Sequence, residues 1–182
     1  MLKRLGLRFS SRAANLDEEA VARRISNPRK LVLELSKLKA RAVQMSARGT
    51  IVIGGDQVLV CGGRIFGKPH TESRAETQLR MMSGKTVVLQ TGVCVIDPAG
   101  REIAFVHQTR MKVRRLSDAE IRNYVRLDQP LECSGSFKFE SFGIALFESV
   151  ETDDPTAIEG LPLLHLNRVL RKLPKSYALY EC

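Results

Sequence analysis

Three features are missing from this chain of 182 residues: a long hydrophobic run, a paired cysteine motif and a long basic block. A membrane-spanning helix needs about 18 or more consecutive apolar residues, and no run approaches that length. The four cysteines form no C-x-x-C pair and no cysteine–histidine cluster with zinc spacing. Internal repeats and low-complexity segments are missing too. We therefore expect one compact domain without a membrane span or a structural zinc site.

Charge and cysteine content indicate the kind of partner and the compartment. The formal net charge is +9, and apolar residues make up an ordinary 43% of the chain. A basic protein attracts anions such as nucleotides or nucleic acid, although a merely basic surface would give the same charge. The basic residues are dispersed, in short pairs such as Arg23-Arg24 and Arg114-Arg115, so nucleic acid is the less favoured partner. Unpaired cysteines are typical of reduced thiols, and we expect a cytoplasmic protein.

The stretch from Ile51 to Pro69, IVIGGDQVLVCGGRIFGKP, carries the strongest pattern. Its three branched apolar residues, Ile51 to Ile53, predict a short buried strand. The two glycines that follow predict a sharp turn or a close approach to a ligand. Asp56 would then lie just past the carboxyl end of a strand, where open α/β sheets bind ligands. Lys68 follows after a second strand, and this acid and base could share one anionic ligand and its metal or could simply flank a surface hairpin.

A further candidate, Lys39, lies on a helix that Asn27 is expected to cap and Pro28 to begin. Apolar residues recur there at helical spacing and form one stripe: Leu31, Leu35, Leu38, Ala42 and Met45. Lys39 lies at the border of this stripe, about 60° from its centre at about 100° per residue. A border lysine can bury its stem and deliver its ammonium into a cleft, although most such lysines extend into water.

The rest of the chain predicts alternating helices and strands. Three helices are expected from their start signals: Thr71, Ser117 with Glu120, and Pro162. Three strands are expected from branched or alternating apolar residues: Thr86–Ile96, Ile103–Val113 and Ile144–Phe147. This alternation predicts a three-layer α/β/α domain with a mixed central sheet. We expect a single domain over residues 1–174 and a loose tail over residues 175–182.

Several motifs, taken in order, resemble those of the Maf family of nucleotide pyrophosphatases. GGDQV at Gly54–Val58 and GKP at Gly67–Pro69 stand at the positions of its G-x-D-[TQ]-V and KP motifs. Further matching segments follow along the chain: Leu79–Gly84, Thr91-Gly92, Leu116–Val125, Cys133–Glu140 and Gly160–Pro162. The resemblance runs from about Leu2 to about Leu173. Gln57 and the segment GSFKFE resemble the branch of the family that hydrolyses 7-methyl-GTP.

The resemblance implies a fold and an activity. The implied fold has two lobes around a cleft, as in the related pyrophosphatases that clear deaminated purine nucleotides, and it often forms a homodimer. The implied activity is hydrolysis of a nucleoside triphosphate between the α- and β-phosphates, which gives the monophosphate and diphosphate. Such chemistry needs charge neutralisation, a divalent cation such as Mg²⁺ or Mn²⁺, and an aligned water.

The family's catalytic roles are carried over residue by residue. Asp56 stands at the position of the proton acceptor, and Asp56 and Glu18 are the carboxylates expected to bind the metal, because Mg²⁺ favours one or two carboxylates plus phosphate oxygens. Lys39 matches an L-x-x-x-K-A pattern of the family. Lys39 and Lys68 are the expected catalytic cations that hold the phosphates as point charges.

Gln57 and Glu140 stand at the family's substrate-specificity positions. A carboxylate can accept hydrogen bonds from N1–H and the amino group of 7-methylguanine together, and such charge-assisted bonds are strong. Three phenylalanines nearby could stack on the cationic base: Phe137, Phe139 and Phe142. The alternative is that Glu140 is a solvated loop acid and that the phenylalanines belong to the core.

The beginning of the sequence departs from the family pattern. The family opens with a strand and an S-x-S-x-x-R-R loop whose serines and arginines meet the triphosphate, and this chain begins after that loop. Residues 1–15 have the composition of a mitochondrial transit peptide. We favour instead the match of Leu2–Phe9 to the end of the family's first helix and the strand after it, which places Asp17-Glu18 at its acidic pair.

Other classes of function stay open at this point. A nucleotide-binding or septum-related regulatory protein with weak or no turnover is one, since the family is also tied to inhibition of septum formation and no residue of the chain matches the phosphate loop. A nucleic-acid-binding domain, favoured by charge alone, is another. The deaminated-purine pyrophosphatases open with an S/T-x-N-x-x-K motif that is not visible in this sequence.

Overall fold

The computed structural model describes residues 1–173, so the expected tail over residues 175–182 lies outside the described residues. The helices are α1 (Glu18–Arg24), α2 (Pro28–Gln44), α3 (Glu72–Met82), α4 (Asp118–Asp128) and α5 (Leu163–Leu170). The strands are β1 (Val52–Cys61), β2 (Arg64–Phe66), β3 (Thr86–Ile96), β4 (Glu102–Val113) and β5 (Phe147–Glu151). Short 3₁₀ helices cover Leu2–Leu5, Phe142–Leu146 and Pro155–Glu159. Within residues 1–173, no helix combines the length and the apolar character that a bilayer crossing demands.

The strands form one sheet in the order β2-β1-β3-β4-β5. Leu59 of β1 pairs with Phe66 of β2, and Met111 of β4 pairs with Val150 of β5, both in antiparallel register. Helices with a five-stranded sheet confirm the α/β class, but the sheet is antiparallel where the sequence favoured a mixed one. Tight turns join β1 to β2 and β3 to β4, and each reverses the chain, whereas parallel neighbours need a long crossover.

The chain divides into two compact units, in agreement with the two lobes that the resemblance implied. The first unit comprises residues 1–56, 91–107 and 154–182, of which residues up to 173 are described. The second comprises residues 57–90 and 108–153. The boundary within β1 therefore falls between Asp56 and Gln57.

The first unit is built around the half of β3 that belongs to it. Val93 and Val95 pack with Leu163, Leu166 and other residues of α5 in one apolar cluster. Cys94, on the alternate positions of the same strand, packs with Ala40 of α2 in a second cluster. Both sides of this strand are buried, which explains its nearly continuous apolar sequence.

The paired glycines of β1 do not form the predicted turn. β1 runs without a break from Val52 to Cys61, and neither Gly54 nor Gly55 has a positive φ. A Cβ atom on Gly54 would overlap the carbonyl oxygen of Ser36 in α2. Gly54 therefore permits a close approach of helix to strand rather than a change of direction. Asp56 accordingly lies within the strand and not past its end.

The buried face of α2 also differs from the expected stripe. Its buried residues are Leu31, Val32, Leu35, Ser36 and Ala40. Met45, expected at the end of the apolar stripe, is 82% exposed. Small residues determine which face of α2 is buried. Ser36 and Ala40 pack directly against Gly54 of β1, and the backbone of Val32 packs against Gly92 of β3. The helix start at Asn27 is confirmed, with its side chain accepting a hydrogen bond from Lys30 N.

The second unit packs α3 against α4. The predicted caps are confirmed: Thr71 accepts from Arg74 N, and Ser117 and Glu120 form the capping box. The predicted strand at Ile144–Phe147 is wrong, since Phe142–Leu146 forms a 3₁₀ helix and β5 begins at Phe147. Gly143 packs too closely on the backbone of Lys138 to admit a Cβ atom, and this contact fixes the compact turn.

The close approach of α2 to β1 gives a stability prediction. Gly54→Ala should destabilise the protein by about 1–3 kcal/mol, the usual range for overpacking, because the new methyl group meets backbone that cannot rotate away. Gly55→Ala is the matched control, since its Cβ would lie 3.8 Å from Gly92 O in ordinary contact. Urea denaturation of both variants measures the difference. Equal stability of the two would contradict the packing of α2 on Gly54.

Candidate active site

The first unit brings together three of the residues singled out in the sequence. Lys39 Nζ donates hydrogen bonds to Asp56 Oδ1 at 2.7 Å and to Glu18 Oε1 at 2.9 Å. The side chain of Asp56 is 9% exposed, that of Lys39 23% and that of Glu18 52%. The cluster therefore runs from a nearly buried carboxylate to an accessible one, with the ammonium between them.

Local structure explains why these side chains meet. In a strand, residues two apart share a face, so Asp56 lies on the face of β1 where Gly54 admits α2. Lys39 precedes Ala40, which makes that close contact, and so its stem starts near β1. Glu18 opens α1, which Asp17 caps by accepting from Ala20 N at 2.9 Å, and α1 packs on α2.

Burial and charge set the protonation of the pair. Burial raises the pKa of Asp56, and the negative charge of Glu18 raises it further. The hydrogen bond and positive charge of Lys39 lower it, but the net result is a raised pKa. Burial alone would lower the pKa of Lys39, but the hydrogen bonds and charges of Asp56 and Glu18 outweigh burial and raise it. Lys39 thus keeps its proton at neutral pH, and Asp56 becomes a stronger base than an exposed aspartate, as a general base requires.

The cluster offers oxygen ligands of the kind that hard divalent cations prefer. Over residues 1–173, no group of three or more His, Cys, Asp or Glu side chains has an arrangement that would hold a metal by itself. Asp56 and Glu18 nevertheless converge on the single ammonium of Lys39. Mg²⁺ is commonly bound by one or two carboxylates with substrate phosphates and waters completing the shell. The two carboxylates therefore fit a cation that binds together with a phosphorylated ligand.

Lys68, the second expected cation, belongs to the second unit. It follows β2, and its side chain is 53% exposed. Its Nζ lies 3.3 Å from Glu132 Oε2, and the other oxygen of Glu132 lies 3.2 Å from His70 Nδ1. Hydrogen bonds from His70 and Lys68 lower the pKa of Glu132. Lys68 thus has an exposed anionic partner, which an incoming phosphate can replace at small cost.

The two expected specificity residues also lie in the second unit. Gln57 is half-buried within β1, and Glu140 is exposed in a turn. Of the phenylalanines near Glu140, Phe137 is buried and packs edge-on against Phe147 at a ring-centroid distance of 4.9 Å. Phe142 is 57% exposed. Phe137 is therefore a core residue, as the alternative interpretation had it, while Glu140 and Phe142 are accessible.

Three polar residues around Lys68 were not predicted from the sequence: Glu132, His70 and Gln78. Gln78 lies on α3 directly before buried Leu79, at the border of the buried face, so helical spacing could have marked this residue but not its two partners. Glu132 lies in a loop where no periodicity exists. Its pairing with His70 and Lys68 depends on two segments more than sixty residues apart and could not be read from spacing.

Comparison with known sequences identifies the family. The profile of the family described as Maf-like protein matches residues 1–173, and the chain belongs to this family. The match covers both units, including the Asp56 cluster and Lys68.

Several curated relatives share about two fifths of their residues with this chain. A protein of Bdellovibrio bacteriovorus is 43% identical over 93% of this chain and 88% of its own length. A relative from Polaromonas sp. is 43% identical over 94% of this chain and 78% of its own length. A relative from Cupriavidus metallidurans is 40% identical over 100% of this chain and 88% of its own length. All three are named 7-methyl-GTP pyrophosphatase. A solved nucleoside-triphosphatase / dITP/XTP pyrophosphatase of Mycobacterium abscessus matches 81% of this chain and 74% of its own, with 14% identity and a TM-score of 0.38.

The coupled protonation of Asp56 and Lys39 gives a testable pH dependence. A carboxyl whose pKa is raised by folding contributes stability that is full below its unfolded pKa of 3.8 and lost as the pH rises through the folded pKa. Lys39→Met removes the compensating ammonium, so the pKa of Asp56 should rise further and stability should fall more between pH 4 and pH 7 than in the wild type. Denaturation at a series of pH values measures this.

Lys30→Met, which removes an exposed lysine from the first turn of the same helix, is the control for that experiment. It should leave the pH dependence as in the wild type. If Lys39→Met and Lys30→Met give the same curve, Lys39 does not hold the charge of Asp56.

Proposed function

We propose that this protein is a nucleotide pyrophosphatase that hydrolyses 7-methyl-GTP between the α- and β-phosphates to 7-methyl-GMP and diphosphate. The observation that carries the proposal is the nearly buried Asp56 carboxylate held by Lys39 beside Glu18. Its support from the comparisons is membership of the Maf-like family and the names of the relatives. The net charge of +9 is consistent with a polyanionic substrate.

Asp56 acts as the general base in this proposal. Its raised pKa makes it a better proton acceptor than an exposed aspartate, while Lys39 keeps enough of it ionised to accept a proton from the attacking water. The water oxygen bonds to one phosphorus of the α–β anhydride, and the bond from that phosphorus to the bridging oxygen breaks. The products are 7-methyl-GMP and diphosphate, and the water proton passes to the carboxylate of Asp56 and then to solvent. Since phosphoryl transfer needs positioning and charge stabilisation more than covalent help, one base with fixed cations is sufficient.

Asp56 and Glu18 would hold a divalent cation, Mg²⁺ or Mn²⁺, together with phosphate oxygens. When bound, such a cation neutralises charge on the phosphates and orients them. The ammonium of Lys39 lies between the two carboxylates and partly neutralises their charge when no metal is bound. This neutralisation explains why Glu18 can lie close to the nearly buried carboxylate of Asp56.

Lys39 and Lys68 hold the phosphate groups as point charges in this proposal. For Lys68 this means exchanging the exposed carboxylate of Glu132 for a phosphate oxygen. Exposed ion pairs contribute little to stability because water and salt screen them, so this exchange costs little.

Glu140 and Gln57 read the base. Methylation at N7 puts positive charge on guanine and makes N1–H a stronger donor, and a carboxylate can accept from N1–H and the amino group at once. Glu140 is exposed and accessible for this contact. A neutral base such as unmodified guanine gains less from the same carboxylate, which is the physical basis of the proposed preference.

The competing proposal is a nucleotide-binding or regulatory protein with little turnover. The relatives' names favour an enzyme. A coupled assay that measures phosphate release with added inorganic pyrophosphatase, over a panel of nucleoside triphosphates, separates the two. Release from 7-methyl-GTP ahead of GTP, UTP and dTTP supports the proposal, and binding without release would support the alternative. The cytoplasmic location and a homodimer remain proposals too, and light scattering would test the dimer.

Asp56→Asn tests the proposed base. The substitution keeps the size of the side chain and removes its charge, so turnover should fall by about two orders of magnitude or more. Glu19→Gln removes an exposed carboxylate next to Glu18 and should leave turnover unchanged. A folded Asp56→Asn protein with near-normal kcat would remove Asp56 from the mechanism.

Glu140→Gln tests the reading of the base. Loss of the charge should cost 7-methyl-GTP about 1–3 kcal/mol more than GTP, as expected for a lost hydrogen bond to a charged group. The values of kcat/KM for both substrates in wild type and variant give the ratio. Glu148→Gln, an exposed glutamate of β5, is the control. An unchanged ratio in Glu140→Gln would mean that Glu140 does not contact the base.

A further inference from the structure

Two segments of the second unit lie side by side: residues 67–70, which carry Lys68, and residues 129–139, which lead to Glu140. His70 N donates to Leu131 O at 3.0 Å, and Gly135 N donates to Gly67 O at 3.3 Å. Two backbone hydrogen bonds at opposite ends therefore hold the first segment against the second. The side-chain pairs of Glu132 with Lys68 and His70 lie between them.

Gln78 of α3 bridges these two segments with both ends of its amide. Its Nε2 donates to Gly67 O at 3.2 Å, and its Oε1 accepts from Ser136 Oγ at 2.6 Å. Gly67 O thus accepts from the backbone of Gly135 and from the side chain of Gln78. Because the carbonyl of Gly67 can only accept, it fixes the Nε2 end of the amide toward Gly67, and Oε1 then accepts from the Ser136 hydroxyl. Asparagine is one methylene shorter and could not keep both contacts.

The conformation of the second segment needs such support. Ser136 is fully buried and has a φ of +60°, a left-handed value that a residue with a Cβ adopts rarely. His70 in the first segment also has a positive φ, 61°, whereas the positive φ of Gln129 is that of the C-cap of α4. Such residues persist only where surrounding contacts hold them, and they concentrate at ligand-binding sites. The hydroxyl bond from Ser136 to Gln78 is one of those contacts.

We propose that Gln78 is a positioning residue that fixes the segment carrying Lys68 against the segment that leads to Glu140, and so holds Glu140 in place for its contact with the base. This inference rests on the proposed function, in which Lys68 holds the phosphates and Glu140 reads the base. Gly67 directly precedes Lys68, and Ser136 lies four residues before Glu140. The Gln78 bridge therefore joins the backbone next to the residue that holds phosphate to the backbone near the residue that reads the base.

Gln78→Leu is the primary test, since it replaces the amide by an apolar side chain that can form neither hydrogen bond. With the two segments no longer bridged, the preference for 7-methyl-GTP over GTP in kcat/KM should fall about fivefold or more, the size expected for a lost hydrogen bond. KM for 7-methyl-GTP should rise while kcat changes less, because Asp56 and Lys39 belong to the first unit. A purely structural role would instead scale both substrates alike and leave their ratio unchanged.

Thr77→Ala is the matched control on the same helix. Thr77 is exposed, and its hydroxyl donates to Ser73 O within α3 without touching either segment. This variant should keep the wild-type ratio. Ser136→Ala removes one of the two bonds of the bridge, so its effect and that of Gln78→Leu should combine non-additively in the double variant.

Amide hydrogen exchange gives a readout that does not depend on activity. The amides of Gly135 and His70 should exchange faster in Gln78→Leu than in the wild type, and at wild-type rates in Thr77→Ala. Faster exchange with a lowered substrate ratio supports the inference. An unchanged ratio in an active Gln78→Leu enzyme overturns the inference and leaves the proposed function intact. A wild-type protein that hydrolyses no nucleoside triphosphate overturns the proposed function and the inference with it.

Discussion

The ion pair between Asp56 and Lys39 is the interaction on which the first unit depends. A carboxylate with 9% of its side chain exposed would be strongly disfavoured without a cation, and the 2.7 Å bond from Lys39 supplies one. That bond requires α2 to lie close to β1, and Gly54 is the residue that lets it do so. The packing of the core and the chemistry of the site therefore depend on the same contact, because Gly54 sets the distance between α2 and β1.

The two units hold their charged residues in different ways. In the first, Lys39 is three-quarters buried between two carboxylates, and burial has raised the pKa of Asp56. In the second, Lys68, Glu132 and His70 are all more than half exposed and form pairs that solvent and salt weaken. A buried base must be fixed before the substrate arrives, whereas a cation that holds phosphate has to exchange one anion for another. The difference in burial fits the roles that we propose for them.

Local signals predicted much of the fold, and contacts between distant segments explain the misses. The caps at Asn27 and Ser117 were readable because capping depends on residues within one turn of helix. The packing role of Gly54 could not be predicted, because a glycine that permits a turn and a glycine that permits close packing look the same in sequence. The border position predicted for Lys39 was wrong, because Lys39 follows Leu35 and Ser36 by one turn and lies on the buried face itself. The stripe was misplaced because Ser36 and Ala40 are too small to register as core. The bridge at Gln78 depends on three segments at once, and no spacing encodes it.

Identification of the products of 7-methyl-GTP turnover tests the central claim most directly. The purified protein would be incubated with 7-methyl-GTP and Mg²⁺, and the products would be followed over time by phosphorus NMR before any coupling enzyme is added. Cleavage between the α- and β-phosphates predicts 7-methyl-GMP and diphosphate in equal amounts from the earliest time point. Formation of 7-methyl-GDP with inorganic phosphate, or unchanged 7-methyl-GTP in the presence of folded protein, would contradict the account.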